Sequence, residues 1–360
     1  MTWTNRLEII ENWGWRDNWS AEAERLCPPP REPARVIGQD RDLWSLQTTM
    51  GPRTGRLISF AGEGELPVVG DWVVSEPGPT ASDPWSIHSL FTRRTRISRG
   101  MAGTGMAEQV LAANIDSIWI VHGLDMPVNQ RRLERYLAVA WESGALPEII
   151  LTKADMTDDA DAVSANLMGV AAGVDVHTIS ALDSTGIEHL RERLAPGVTI
   201  CLLGPSGVGK STLVNALAGT ELAKTAVVRE GDRKGRHTTT RRELFRIPGG
   251  ACLLDTPGIR ELRIWLVDKG LNQAFPDIEE LAADCRFRDC RHENEPGCAV
   301  LGAVAAGSLS EERLMSFRKL QAEAAYEQRK SDPRARAAAV SEYKSTMKSM
   351  KHHPKYRDRR

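Results

Sequence analysis

Between residues 33 and 98 the apolar positions come in short β-rich runs, ARVIG, LWSLQTT, RLISF, DWVVSE and WSIHSLF, parted by Gly, Pro and Asp turns. Several short strands at this spacing predict a small sandwich or barrel, and an OB-type β-barrel fits the length. After residue 98 the pattern changes. Apolar strand candidates SIWIVH (117–122), EIILT (148–152), VDVHTIS (174–180), VTICLLG (198–204) and ACLLD (251–255) have helical stretches between some of them, for example 130–144. That pattern predicts a mostly parallel sheet in an α/β domain. Residues 269–330 read as helical around a Cys/His knot, with a last helix starting at Ser308 and a capping box completed by Glu311. At the front, Trp3, Trp13, Trp15 and Trp19 precede the break at Pro28-Pro29-Pro30. Leu7, Ile10 and Trp13 share one helical face there, which suggests a short segment docked on the body.

These shifts describe a multidomain α/β chain. They separate a Trp-rich extension (1–32), an OB-fold domain (33–98), an α/β domain (99–268), a helical domain (269–330) and a basic tail (331–360).

Composition changes this picture in two places. The body is ordinary, with 41% hydrophobic and 26% charged residues, no apolar run of membrane-spanning length and no apolar signal core at the start. A cytoplasmic, non-membrane protein is the expectation. The net charge of −1 hides an asymmetry, because Arg329 to Arg360 holds eleven Lys/Arg against three Asp/Glu. The tail thus carries +8 and the rest −9, which points to a polyanionic partner or to a solvated end. Of the six cysteines, three cluster between Cys285 and Cys298, as expected of metal binding in a reducing compartment.

The chemistry begins at GPSGVGKST: Gly204, Pro205, Ser206, Gly207, Val208, Gly209, Lys210, Ser211 and Thr212. The glycines let the backbone bend so that its N–H groups converge on phosphate oxygens. Lys210 adds charge at the β- and γ-phosphates, and Ser211 can bind Mg²⁺. The flanks fit, with VTICLL reading as a strand before the loop and STLVNALAG as a helix closed by Gly219. DTPG then offers Asp255 for Mg²⁺ through water and the Gly258 N–H for a γ-phosphate. Between them GRHTTTRRE has the polar, glycine-containing character of a switch loop, with Thr238 or Thr239 able to complete the Mg²⁺ shell.

Guanine selection needs a further signature, and it lies upstream. TKAD supplies Thr152, Lys153 and Asp155 after the strand EIILT. A carboxylate there can accept from guanine N1–H and N2–H, which adenine lacks, and an unpaired buried Asp would reject adenine severely. Lys153 can pack its stem along the base. SAL, with Ser180 and Ala181, follows VDVHTI and offers a backbone N–H for guanine O6. Both sets of residues fall at carboxyl ends of strands, where a doubly wound sheet binds its ligand. The site can therefore be the same while the covalent route differs, as in a circular permutation.

In the order TKAD, SAL, GPSGVGKST, HTTT, DTPG, the chain resembles the circularly permuted ribosome-assembly GTPases of the RsgA (YjeQ) type. VVGDWV (68–73), AANID (112–116), GRHTTT (235–240) and the Cys/His knot carry the likeness, over about residues 33–330. The resemblance implies an OB domain, a permuted P-loop GTPase domain and a zinc-containing C-terminal domain. It also implies a GTPase activated by the 30S subunit late in that particle's maturation, with 16S rRNA as partner and GTP or GDP as ligand. A monomer is expected. Two positions depart from the pattern: Thr152 stands where Asn is common, and SAL lacks the Lys of SAK.

Many GTPases orient the attacking water with a Gln soon after DxxG. Here Ile259 follows, so another group must do this; His237 in the switch loop is the candidate, as the resemblance also implies. In the knot, Cys285, Cys290, His292 and Cys298 have the spacing C-x4-C-x-H-x5-C. Three thiolates and an imidazole suit one closed, structural Zn²⁺ site. The barrel, the Arg93, Arg94, Arg96 and Arg99 cluster and the tail are candidate phosphate contacts on RNA. A P-loop ATPase or kinase, and an RNA-binding module using nucleotide only as a structural ligand, are the alternatives.

Overall fold

The computed structural model describes residues 6–58, 65–100, 108–171, 173–220, 243–255 and 268–331. The chain forms two compact units, one of residues 1–97 with 110–262 and one of 98–109 with 263–360.

The first unit opens with α1 (Leu7–Glu11) and α2 (Ser20–Leu26), followed by β1 (Glu32–Asp40), β2 (Leu43–Thr48), β3 (Gly51–Leu57), β4 (Trp72–Glu76) and β5 (Trp85–Leu90). These strands pair in the order β1-β2-β3-β5-β4, and β4 returns to β1. They therefore form a closed five-strand barrel, in which β3 and β5 run parallel. Its interior is filled by Ala34, Val36, Trp44, Leu46, Val73, Trp85 and Ile87. The RLISF run contributes only as far as Leu57 to a strand; residues 59–64 lie outside the described set. The N-terminal segment packs on the barrel, with Trp15 and Trp19 against Trp72 and Phe91 in one buried cluster with Ile10 and Ala23. Burial of several aromatic rings of this size is a large apolar gain, and it explains an otherwise costly Trp-rich start.

A ladder of β6 (Arg96–Gly100) and β7 (Glu108–Ala113) follows the barrel. Next come β8 (Ser117–Gly123), α3 (Gln130–Ser143), β9 (Leu146–Thr152), α4 (Ala160–Val170), β10 (Asp175–Thr178) and α5 (Ile187–Glu192). The run closes with β11 (Thr199–Leu203), α6 (Lys210–Ala218), β12 (Glu243–Arg246) and β13 (Cys252–Asp255). The strands lie in the order β10-β9-β8-β11-β13-β12, all parallel but β12. β12 pairs with β1 at Gly38–Glu243, so the sheet runs on into the barrel. Asn129 caps α3 by accepting from the Arg132 N–H at 3.0 Å, and Gly144 ends it in the left-handed region. α5 and α6 seal the sheet through Ile187, Leu190, Leu213, Val214 and Leu217 against Trp119, Ile150, Ile200 and Leu253.

Arg35 on β1 fastens these parts together. It is 1% exposed and donates to the carbonyls of Trp13 and Asn114 and to Thr199 Oγ1. Burial pushes its pKa below the usual value, and its guanidinium lies 5.2 Å from the Trp72 ring.

In the second unit, α7 (Asp268–Ala274), α8 (Pro276–Ala283), α9 (Ala299–Ala305) and α10 (Glu311–Ser331) surround the Cys/His knot. The last helix starts later than the sequence suggests. Ser308 instead donates to the Ala303 carbonyl, and Ser310 caps α10 by accepting from the Arg313 N–H at 3.2 Å. Arg313 then pairs with Asp277 and lies over Phe275. Among the described residues no helix is long and apolar enough to cross a membrane.

Candidate functional site

The carboxyl ends of the parallel strands set the site. Along that rim the loops after β10, β9, β8 and β11 lie side by side in space, although they leave the chain in the order β8, β9, β10, β11. The P-loop follows the central strand β11, and TKAD follows β9, with only β8 between them. This is how a chain with the base signature first can still gather one set of loops.

The P-loop turns are made by glycine. Gly204, Gly207 and Gly209 sit at φ 152°, 82° and 93°. At Gly204 a Cβ would stand 2.4 Å from the Val121 carbonyl oxygen, so no other residue fits there. Lys210 donates to the carbonyls of Gly204 at 2.7 Å and Pro205 at 2.5 Å, holding its ammonium over the loop. Ser211 and Thr212 lie in the first turn of α6.

TKAD touches this loop directly. Thr152 Oγ1 lies 2.5 Å from the Val208 carbonyl and 3.2 Å from that of His122. A hydroxyl has one proton, so the shorter contact is the donated bond. Thr152 thus ties the base-side segment to the P-loop without the amide common at this position. Lys153 takes a left-handed backbone, φ 60°, and its Nζ donates to the Gly207 carbonyl at 2.9 Å and to Asp125 at 2.6 Å. Beyond it the exposed Asp155 accepts from Ser180 Oγ at 2.6 Å. Ser180 Oγ in turn accepts from the Leu182 N–H, which folds the Ser180–Ala181–Leu182 turn beside Asp155. The Ala154 N–H donates to the Ile179 carbonyl, joining the two loops again.

Thr152, Lys153, Asp155, Ser180, Ala181 and the P-loop are therefore neighbours, linked by hydrogen bonds. Asp255 ends β13, two strands from β8. His237, Thr238, Thr239, Gly258 and Ile259 lie outside the described residues. Asp125 is a member of the site that the motifs do not reveal, since it belongs to none of them. Its only sequence signal is its place two residues after the β8 run.

The arginine cluster is partly committed elsewhere. The Arg93 side chain is 8% exposed and pairs with Asp71 and Glu65; Arg94 pairs with Asp116. Arg93 is thus an internal tie of the first unit, whereas the Arg94 side chain is still 38% exposed.

In the second unit, Cys285, Cys290, His292 and Cys298 bring four ligand atoms within 4.8 Å of one another. Cys285 Sγ to Cys298 Sγ is 3.8 Å, and His292 Nδ1 lies 3.6 and 3.4 Å from those two sulfurs. A tetrahedral ion with ordinary Zn–S and Zn–N lengths has edges of about 3.8 Å between sulfurs and about 3.5 Å between sulfur and nitrogen. The donor set therefore fits a closed tetrahedral metal centre. Burial lowers the His292 pKa, which keeps the imidazole in its ligating neutral form. Cys298 also opens α9, accepting from the Leu301 N–H at 3.4 Å.

The RsgA GTPase family model matches residues 90–265. A small ribosomal subunit biogenesis GTPase RsgA 1 of Listeria innocua is 45% identical over 357 residues, covering 98% of this chain and 100% of that protein. The RsgA of Methanosarcina acetivorans is 44% identical over 293 residues, 81% of this chain and 79% of its own. That of Opitutus terrae is 42% identical over 337 residues, 90% and 92%. In fold, the chain is similar to YjeQ from Thermotoga maritima, with TM-score 0.59 and 23% identity over 82% of this chain and 98% of that one. It is similar also to YloQ, titled a circularly permuted GTPase, with TM-score 0.57 and 21% identity over 82% and 96%. With a permuted loop order, a closed barrel and relatives of this identity over nearly its whole length, the chain belongs to the RsgA GTPase family.

Proposed function

We propose that this GTPase acts late in the maturation of the 30S ribosomal subunit, hydrolysing GTP to GDP and phosphate with stimulation by that subunit. The observation that carries the reading is the pair of bonds from Thr152 to Val208 and from Lys153 to Gly207. They join the segment that carries Asp155 to the phosphate loop, which supports reading Asp155 as the guanine acceptor. The relatives' names supply the ribosomal context.

The roles follow from the chemistry of each group. Asp155 accepts from guanine N1–H and N2–H, and the Ser180–Ala181 turn offers its backbone N–H to O6. The N–H groups from Ser206 to Thr212 cradle the phosphates, and Lys210 offsets charge as it builds on the transferred group. Mg²⁺ bound with GTP would supply further positive charge at the phosphates. Ser211, Asp255 through water, and Thr238 or Thr239 would hold it. Gly258 N–H meets the γ-phosphate, and His237 orients the attacking water in place of a Gln. Stimulation by the 30S particle acts through the placement of His237, a kind of step that can supply several powers of ten in rate.

The Cys/His knot holds one structural Zn²⁺. The protein works as a cytoplasmic monomer, and contact with 16S rRNA falls to the barrel surface, the basic tail and the arginines of the 93–99 cluster other than the buried Arg93. The test is GTP turnover alone, with purified 30S and with purified 50S subunits. Stimulation by 30S only is expected. Equal rates in all three, or displacement of fluorescent GDP by ATP as well as by GTP, would overturn the reading. Elemental analysis should find about one zinc per chain.

A further inference from the structure

We infer that Asp125 is a positioning residue of the nucleotide site, which clamps Lys153 onto the P-loop and so sets guanine-nucleotide affinity. The inference rests on the reading of this rim as a GTP pocket. Three observations lead to it. Asp125 Oδ2 accepts from Lys153 Nζ at 2.6 Å, while the same ammonium donates to the Gly207 carbonyl at 2.9 Å. The two side chains are each 28% exposed, so this is a half-buried junction with a third partner and not an isolated surface pair. Gly123, the last residue of β8, leaves the space the pair occupies. A Cβ there would lie 2.5 Å from Asp125 Oδ1 and 3.5 and 3.6 Å from Cδ and Cε of Lys153.

The physical logic is one of orientation. A lysine has four rotatable bonds and a strongly hydrated ammonium. Left to the Gly207 carbonyl alone, it would sample many rotamers, and ordering it would weaken ligand binding. The carboxylate and the bare Gly123 surface restrict it beforehand. The stem is then held alongside the segment that presents Asp155, and the head bridges that segment to the P-loop. The backbone supports this, since Lys153 is one of the few non-glycine residues at positive φ, a conformation retained where surroundings impose it. Leu124, just before Asp125, donates its N–H to the Thr152 carbonyl, so the Asp125 loop and TKAD are registered to each other.

The test uses the full chain with GDP as probe. Exposed pairs contribute little and charge-assisted bonds more, so Asp125→Ala should weaken GDP binding by about 5- to 20-fold. Asp125→Asn keeps an oxygen acceptor and should recover part of that loss. Gly123→Ala keeps both charges but crowds the carboxylate, and should weaken binding in the same range. The decisive readout is coupling: in a Lys153→Met background, Asp125→Ala should change GDP affinity by less than about twofold. The melting temperature without nucleotide should stay close to that of the parent in each variant. Asp125→Ala binding within twofold of the parent, or an undiminished loss in the Lys153→Met background, would overturn the clamp alone. Failure of the parent protein to bind GDP would overturn the pocket reading, and the clamp with it.

Discussion

The two rims of the α/β sheet are built from the same residue types and behave in opposite ways. On the amino-end rim, Glu148 accepts from Ser117, Trp119 and Arg193 and pairs with His177, while Arg193 also reaches Asp175. Burial alone would raise the Glu148 pKa, but His177, Ser117, Arg193 and Trp119 together bring it down to about 2. The ligand atoms of Glu148, Asp175 and His177 lie within 4.8 Å of one another, close enough to suggest a metal. Arg193 already provides the cation, so this is a closed ion-pair network. On the carboxyl-end rim, Asp155 is exposed and the loops hold two non-glycine residues at positive φ, Lys153 at 60° and Ser184 at 67°. Saturated, buried polar groups serve stability; exposed ones on a rigid, strained rim serve a ligand.

That contrast breaks if substitutions on the two rims have the same effect. Lys210→Ala should weaken GTP binding by roughly 100-fold or more, about 3 kcal/mol, while the nucleotide-free melting temperature hardly moves. Glu148→Ala should do the reverse, costing about 2–3 kcal/mol in denaturant unfolding because His177 and Arg193 lose their common partner. Nucleotide affinity of the folded fraction should stay within a factor of a few. Thr152→Ala, which removes one strap between the base side and the P-loop, should cost about 1 kcal/mol of GDP affinity, and Thr152→Ser should restore it.

The smallest effect sharpens the comparison through pH. Glu148 has a folded pKa below its ordinary 4.5, so its contribution is fully present above 4.5 and fades as pH falls toward 2. Unfolding measured at pH 6, 4 and 3 should show a steeper decline for the parent than for Glu148→Gln. Parallel declines would mean that Glu148 is not held by its partners.

How much of this could be read from the sequence follows from the range of each interaction. The P-loop, the strand before it and the helix after it, closed at Gly219, are local patterns, and they stand where the chain suggests. The Cys/His knot is also local, with four ligands inside fourteen positions. α10 starts after Ser310 and not Ser308, because Ser310 accepts from the Arg313 N–H while Ser308 turns back to the Ala303 carbonyl, a choice the local sequence does not decide. Arg93 and Arg94 read as a basic cluster because Asp71 and Asp116 are far away in sequence. Glu148 and Asp125 were invisible for the same reason. Their partners come from neighbouring strands, and only the strand order brings them together.

The central claim is that Asp155 reads the base of the nucleotide whose phosphates the P-loop holds. The most direct measurement is the affinity of Asp155→Asn for xanthosine diphosphate and GDP. The substitution replaces an acceptor with a donor, which suits the C2 carbonyl of xanthine and not the N1–H and N2–H of guanine. GDP binding should fall by roughly 100-fold or more and xanthosine diphosphate binding should rise to exceed it. An unchanged preference for GDP would contradict the placement of Asp155 at the base.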